Sequence, residues 1–438
     1  MKRLVLILIS VLWLALPAAF AEDAVLYAIR ENGLWGYMDR QGNMVIEPRY
    51  AFAEQCFTGK YCRAGLDTDY RQGVIDRQGD WVLPPEYSLC PMDHMGEDEE
   101  QGEGLLSVAG GRTGDRAEGF FDLDTGFFSG LKWYSVFPRY TDSALIAVRP
   151  GPEEHTGYAD RRTGEEVLPP VYICLDPQLF YHGLALTAYE SFENGYSDFF
   201  LMDEAGAVIP FPEGIRGDHC ANPVCGRVAV RNDEDLLGFA DLQGHIVIQP
   251  QYAEAFDYSE DRAVVRFADG DWGVIDPDGN MLVRGLEDVW GWKYKNGILS
   301  AVKDGMHIFY DRDGQELASF SSGAMPAGDD LYWVGIGGSM ISYPDNWIWY
   351  LSDRDGYALS APCFLTSRAV EDHDSFSEGL EPVGGLEHRW GYMDRQGRIA
   401  VECVYDRAEP FRFGLAQVEK DGRLMYIDRS GTVIWQEP

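Results

Sequence analysis

Trp35-Gly36-Tyr37-Met38-Asp39-Arg40-Gln41-Gly42 decides the fold. The phrase returns almost unchanged as Trp390-Gly391-Tyr392-Met393-Asp394-Arg395-Gln396-Gly397, and degraded copies fill the chain between. Self-similarity at periods of roughly 20 to 50 residues marks tandem-repeat architectures. The phrase's Asp falls at Asp39, Asp76, Asp122, Asp160, Asp203, Asp241, Asp276, Asp311, Asp353, Asp394 and Asp428, a mean period near 39 with steps of 34 to 46. Nine copies keep Asp-x-x-Gly, whereas Asp122 and Asp160 reach Gly126 and Gly164 one residue later.

Working outward, each Gly is followed by an apolar run and often by Pro and Tyr, as in Met44-Val45-Ile46-Glu47-Pro48-Arg49-Tyr50. An Ala and a Phe come next, as in Ala408-Glu409-Pro410-Phe411, and then a segment such as Gly414-Leu415-Ala416-Gln417-Val418. Short alternating segments bounded by turn residues read as strands. The last copy gives three of them: Leu415 to Val418, Leu424 to Ile427 and Thr432 to Trp435. Asp428 caps the second turn through backbone N–H groups and Gly431 takes a positive φ; in complete copies a Pro after the third strand stops the ladder. The expected fold is all-β, a tandem array of about eleven three-stranded antiparallel β-meander units. Such units cannot bury both faces alone, so neighbours share a core, and the Trp and Tyr rings are large enough to fill the space between sheets. The Gly after each Trp lets a neighbouring ring or backbone close in. The array is propeller-like or an open superhelix; the many units favour an open or split form. Ser319 to Glu378 is the most divergent stretch.

The phrase, the Pro-x-Tyr, the Ala-x-x-Phe and the Gly-Leu-Ala-x-Val together resemble the bacterial WG-repeat (KWG) family. Trp35, Gly36, Asp39 and Gly42, Trp272, Gly273, Asp276 and Gly279, and Trp390, Gly391, Asp394 and Gly397 carry the likeness. It implies an all-β array acting as a binding or structural module, with no catalytic residues to transfer.

Residues 1–21 read as a signal peptide: Lys2 and Arg3, an apolar run from Leu4 to Leu16 too short to span a bilayer, then Ala19-Phe20-Ala21. Cleavage near Ala21 leaves an extracytoplasmic chain, secreted or envelope-associated, whose residues 22–438 form the array without a membrane span. The net charge is −36, or −38 without the two basic residues of the leader. That field argues against nucleic acid and anionic lipid as partners. The eight Cys permit disulfides in an oxidising compartment, with Cys56 and Cys62, and Cys220 and Cys225, near in sequence.

No residue pattern identifies a nucleophile, metal centre or cofactor. One carboxylate per turn is a turn cap rather than a calcium loop, which needs several oxygens in one short segment. His219, Cys220 and Cys225 lack a fourth ligand, and Asp93 to Glu103 reads as a solvated acidic loop. Trp347, Trp349 and Tyr350 fall outside the regular pattern and are the expected ligand-face aromatics. The expected function is therefore a non-catalytic exported module binding protein or cell-envelope glycan. The alternative is a hydrolase of envelope polymers with its site in residues 319–378.

Overall fold

The structure is a computed structural model describing residues 25–66, 71–91, 104–110, 117–137, 143–152, 155–173, 180–189, 199–218, 221–336, 348–365, 375–385 and 387–438. The leader and the acidic loop after Asp93 lie outside these residues, as do His219 and Cys220.

The repeat's chemistry builds each unit locally. In unit 6 the strands Ile215–Gly217, Arg227–Asn232, Leu237–Asp241 and Ile246–Tyr252 pair in chain order, all antiparallel. Three of these are the expected strands. The fourth, short and first in the order, comes from the segment between one unit's Tyr and the next unit's Leu-Ala-x-Val, so the unit has four strands rather than three. The sheets number nine, but the six- and seven-stranded ones each join two units through a long strand, Trp81–Pro91 or Glu166–Ile173. The described residues thus form eleven units, one per repeated Asp. Among them the only helical segment is the 3-10 turn Trp290–Trp292.

The phrase's Gly answers to a bulge. Between the last two strands of unit 1 the register shifts from Tyr37↔Ile46 to Trp35↔Tyr50, and the surplus residues fold over Gly36. A Cβ on Gly36 would lie 2.3 Å from the Ile46 carbonyl oxygen, and one on Gly238 or Gly391 meets the same obstacle at 2.3 and 2.4 Å. Pro48 sits inside this bulge, within the strand Met44–Tyr50, and does not end it. An outermost strand tolerates Pro because its outward N–H needs no partner.

Adjacent units share cores in unbroken succession. Tyr37, Phe57 and Ile75 fill the 1/2 junction, Phe239, Tyr258 and Ile275 the 6/7 junction, and Tyr392, Phe411 and Ile427 the 10/11 junction. The succession closes, because Tyr27, Ile29 and Met38 of unit 1 pack against Leu415 and Tyr426 of unit 11. The array is a closed β-propeller; the open form favoured by unit number is not adopted.

Candidate binding surfaces

All eleven aspartates cap their turns. Asp39 Oδ1 accepts the backbone N–H groups of Gln41 and Asn43 at 2.9 Å each, and Asp428 Oδ1 accepts those of Ser430 and Thr432. Gly42, Gly279 and Gly397 hold φ of 85°, 84° and 75°. The Ser430 hydroxyl and these N–H groups hold the Asp428 carboxyl below its usual range against a smaller opposing effect of burial. The signature Trp35 and Trp390 are half-buried and Trp272 is buried; Arg30 lies over the Trp35 ring and Arg266 over Trp272.

Of the expected ligand-face aromatics Trp347, Trp349 and Tyr350, the two described ones do not stand out into solvent. Trp347 lies outside the described residues. Trp349 is 1 % exposed, packed with Trp333, Leu351 and Phe376 between units 9 and 10. Tyr350 is half-buried against the core between units 8 and 9. The cause is strand periodicity: Ile348–Asp353 pairs residue for residue with Leu331–Ile336, so consecutive side chains enter opposite junctions. The described part of the divergent segment is therefore propeller wall. Cys62 and Cys225 carry free thiols, so neither small loop is bridged.

Exposed aromatics do occur at the 7/8 junction, where sequence reasoning passed them over. Trp290 and Trp292 are 36 % and 46 % exposed. Gly291 and Trp292 have φ of 67° and 52°, a conformation that a bulky residue rarely adopts. The turn lays the Trp292 indole parallel to the Phe256 ring, centroids 5.1 Å apart and planes 3° from parallel, and sets Trp290 5.6 Å from His307. Burial pushes the His307 pKa down. The Trp-Gly-Trp is visible in the sequence, but it falls after a third strand rather than in a second, out of phase with the repeat.

A cleft of about 610 Å³ opens at the seam where units 10, 11 and 1 meet, walled by Val25, Tyr27 and Phe413 and rimmed by Arg40, Arg429 and Glu378. Phe413-Gly414 is a two-residue hairpin turn closed by mutual Arg412 and Leu415 backbone bonds. Such turns favour Asn-Gly, as at Asn296-Gly297, because both residues take positive φ. Here Phe413 holds φ 54° and is 51 % exposed, while its carbonyl accepts the Tyr27 hydroxyl at 2.7 Å.

Among known proteins, the likeness in sequence is confined to a repeat family. No curated protein sequence matches the chain. Solved structures that are similar to it include one described as the crystal structure of the eukaryotic initiation factor, at 10 % identity and TM-score 0.41 over 78 % of this chain and 95 % of that one. BamB from Moraxella catarrhalis matches at 14 % identity and TM-score 0.29, over 77 % and 90 % of the two chains. The C-terminal WD40 domain of Sif2 matches at 11 % and 0.27, over 64 % and 90 %. The model of the WG containing repeat matches residues 35–64, 73–91, 238–269 and 390–423. Each of these stretches begins in the phrase strand of one unit and ends in the next unit, so the parts that match the WG containing repeat straddle unit junctions.

Proposed function

We propose that the chain is an exported, non-catalytic binding module whose partner is a protein or glycan of the cell envelope. The observation that carries this reading is the Trp290-Gly291-Trp292 turn. A strained backbone that holds an indole half in solvent, stacked flat on a second ring, costs stability, and such strain concentrates at ligand-holding sites. A flat indole face suits the apolar face of a sugar ring or an aromatic or proline side chain, and little conformational entropy is lost on binding because the rings are already held. The leader-like residues 1–21 and the acidic balance support an extracytoplasmic setting.

Co-sedimentation of the mature chain with peptidoglycan sacculi, and pull-down against envelope protein extract, test the reading. Retention on one of the two, lowered at least tenfold by Trp290→Ala with Trp292→Ala and unaffected by Tyr357→Ala at another exposed aromatic, supports it. Equal retention of the double variant, or release of reducing sugar or peptide from the same samples, sinks it.

A further inference from the structure

The arginine after the capping Asp recurs in seven of the eleven units, and two of its copies stand at the seam cleft. Arg161 and Arg395 reach back to the preceding unit and are neutralised there, Arg77 is hydrogen-bonded within its own unit, and among the described residues Arg312 and Arg354 make no side-chain hydrogen bond or ion pair. Arg77 Nη1–H donates to the Gly59 carbonyl at 2.6 Å. Arg161 pairs with Asp122 at 2.5 Å and Asp124 at 3.0 Å, and Arg395 pairs with Asp329 at 2.8 Å. Arg429 of unit 11 and Arg40 of unit 1 occupy the same repeat position and reach back in the same way. The Arg40 guanidinium lies so close over Gly414 that a Cβ there would meet it at 2.1 Å, and Arg429 Nη2 would be 3.5 Å from a Cβ on Gly379. Among the described residues neither guanidinium makes a hydrogen bond or an ion pair, and these two, unlike Arg312 and Arg354, face one cleft.

The carboxylates beside them are already engaged. Glu378 accepts the Gly414 N–H with both oxygens, at 2.9 and 3.1 Å. Asp39 accepts two backbone N–H groups and the Asn43 amide. Two guanidiniums without an ion pair among the described residues therefore rim one cleft. Next to them stands an apolar wall, with the ring of Phe413 set in it by a backbone conformation that its residue type disfavours. A guanidinium presents a planar donor fork that matches carboxylate and phosphate oxygens. The volume is in the range of small-molecule sites, which combine apolar walls with a few convergent polar groups.

We propose that the seam cleft binds a small organic oxyanion: a carboxylate or phosphate head held by Arg40 and Arg429, carrying an apolar or aromatic body against Val25, Tyr27 and Phe413. This site is separate from the Trp290–Trp292 surface and does not depend on it. Because the cleft is built from both ends of the chain, occupancy also holds the ring closed.

Isothermal titration of the mature chain at low salt with phenyl phosphate, phenylacetate, inorganic phosphate and phenol provides the test. The expected result is one site for phenyl phosphate or phenylacetate, whichever is the stronger head group, with phenol and inorganic phosphate at least tenfold weaker. Arg429→Gln and Arg40→Gln each weaken the aromatic anion at least tenfold while leaving the melting temperature of the unliganded chain within a degree or two. Should Arg40→Gln unfold the seam, Arg429→Gln decides, since that side chain holds no other group in place. Absence of binding by both aromatic anions, equal binding of phenol, or unchanged affinity in Arg429→Gln overturns the proposal.

Discussion

The 6/7 junction and the seam between units 11 and 1 do the same job with different means. At 6/7 the apolar core runs on without a break from unit 5 through unit 7. Its polar links are short in sequence: Arg227 Nε–H donates to the Pro277 carbonyl at 3.1 Å, and the Asn222 backbone and side-chain amides donate to Asp257. The seam has a five-residue core, and its links join opposite ends of the chain. Tyr426 donates its hydroxyl to Ala28 across 398 positions, Tyr27 to Phe413 across 386, and Arg30 to Glu437 across 407. Sequential junctions form as the chain is laid down, whereas the seam must close one loop of the whole propeller and meets that entropy alone. A repeat protein gains stability from neighbour interfaces, and the ring adds one interface that no linear array has.

The largest expected effect comes from removing the ring at the centre of each junction. Tyr426 is buried against Tyr27 at 5.6 Å, and Tyr258 against Phe239 at 4.8 Å. Truncating either to Ala costs about 3–5 kcal/mol, as for other buried aromatics. The two differ in where the loss is felt. Hydrogen exchange in Tyr426→Ala should quicken in units 1 and 11 and leave units 4 to 8 protected, because the seam opens without breaking any other junction. In Tyr258→Ala it should quicken around units 6 and 7. Uniform quickening in both variants would break the distinction and make the propeller one cooperative unit.

Next in size is Gly238→Ala, about 1–3 kcal/mol in the overpacking range, since the new Cβ meets the Ile248 carbonyl at 2.3 Å. Gly36→Ala makes the same clash at 2.3 Å beside the seam. Thermal melts of the two sharpen the comparison. Equal losses mean that the bulge is a local requirement of every unit; a smaller loss at Gly36 means that unit 1 is already the looser end.

This local requirement is why much of the fold was legible in the sequence. Asp39 and Gly42 act within four residues of each other, and Tyr37, Tyr50 and Tyr392 fill junctions because nothing smaller reaches the next sheet. Even the need for Gly36 could be read from residue size, and of the ring or backbone expected to close in, it is backbone that does. Closure could not be read, because it depends on a small rotation per unit summed over eleven, which no single repeat encodes. The short first strand was missed because Phe52–Ala53 and Glu254–Ala255 are two residues long, below any period-2 signal. Trp349 was misplaced for a related reason: without a phrase to set the register, its face on the strand Ile348–Asp353 was unknown. The seam cleft was invisible because Arg40 and Arg429 resemble every other Asp-Arg of the repeat until closure brings them to one cleft.

A smaller effect separates the junctions by pH. Burial raises the Asp257 carboxyl to about 6, more than the Asn222 hydrogen bonds lower it. A folded pKa above the unfolded value of about 4 means stability present below pH 4 and lost as pH rises through 6. At the seam, the Arg30 hydrogen bond outweighs burial and lowers the Glu437 carboxyl, so its contribution is present above the unfolded value and lost as pH falls. Exchange rates at pH 4 and 7, corrected for intrinsic chemistry, should show the 6/7 junction loosening at the higher pH and the seam at the lower. Asp257→Asn should abolish the first change and leave the second. Parallel responses at both junctions would contradict these assignments.

The smallest effect is that of the Arg30–Glu437 pair, and it tests what the ion pair contributes to closing the ring. Both nitrogens engage, Nε to Oε1 and Nη2 to Oε2 at 2.9 Å each, and Glu437 also accepts the Leu424 N–H at 3.1 Å. Partly exposed pairs of this kind couple by less than about 1 kcal/mol, and salt weakens them. A double-mutant cycle of Arg30→Ala and Glu437→Ala should therefore give a coupling of that size, falling between 50 mM and 1 M salt. Arg30 also lies over the Trp35 ring, 5.6 Å from its centroid, so its removal uncovers an indole as well as breaking the pair. Loss in Arg30→Ala exceeding that in Glu437→Ala, with the excess insensitive to salt, assigns the difference to this cover. A coupling near zero with equal single losses would mean that packing and the two tyrosine hydroxyls close the ring, and that the ion pair only decorates it.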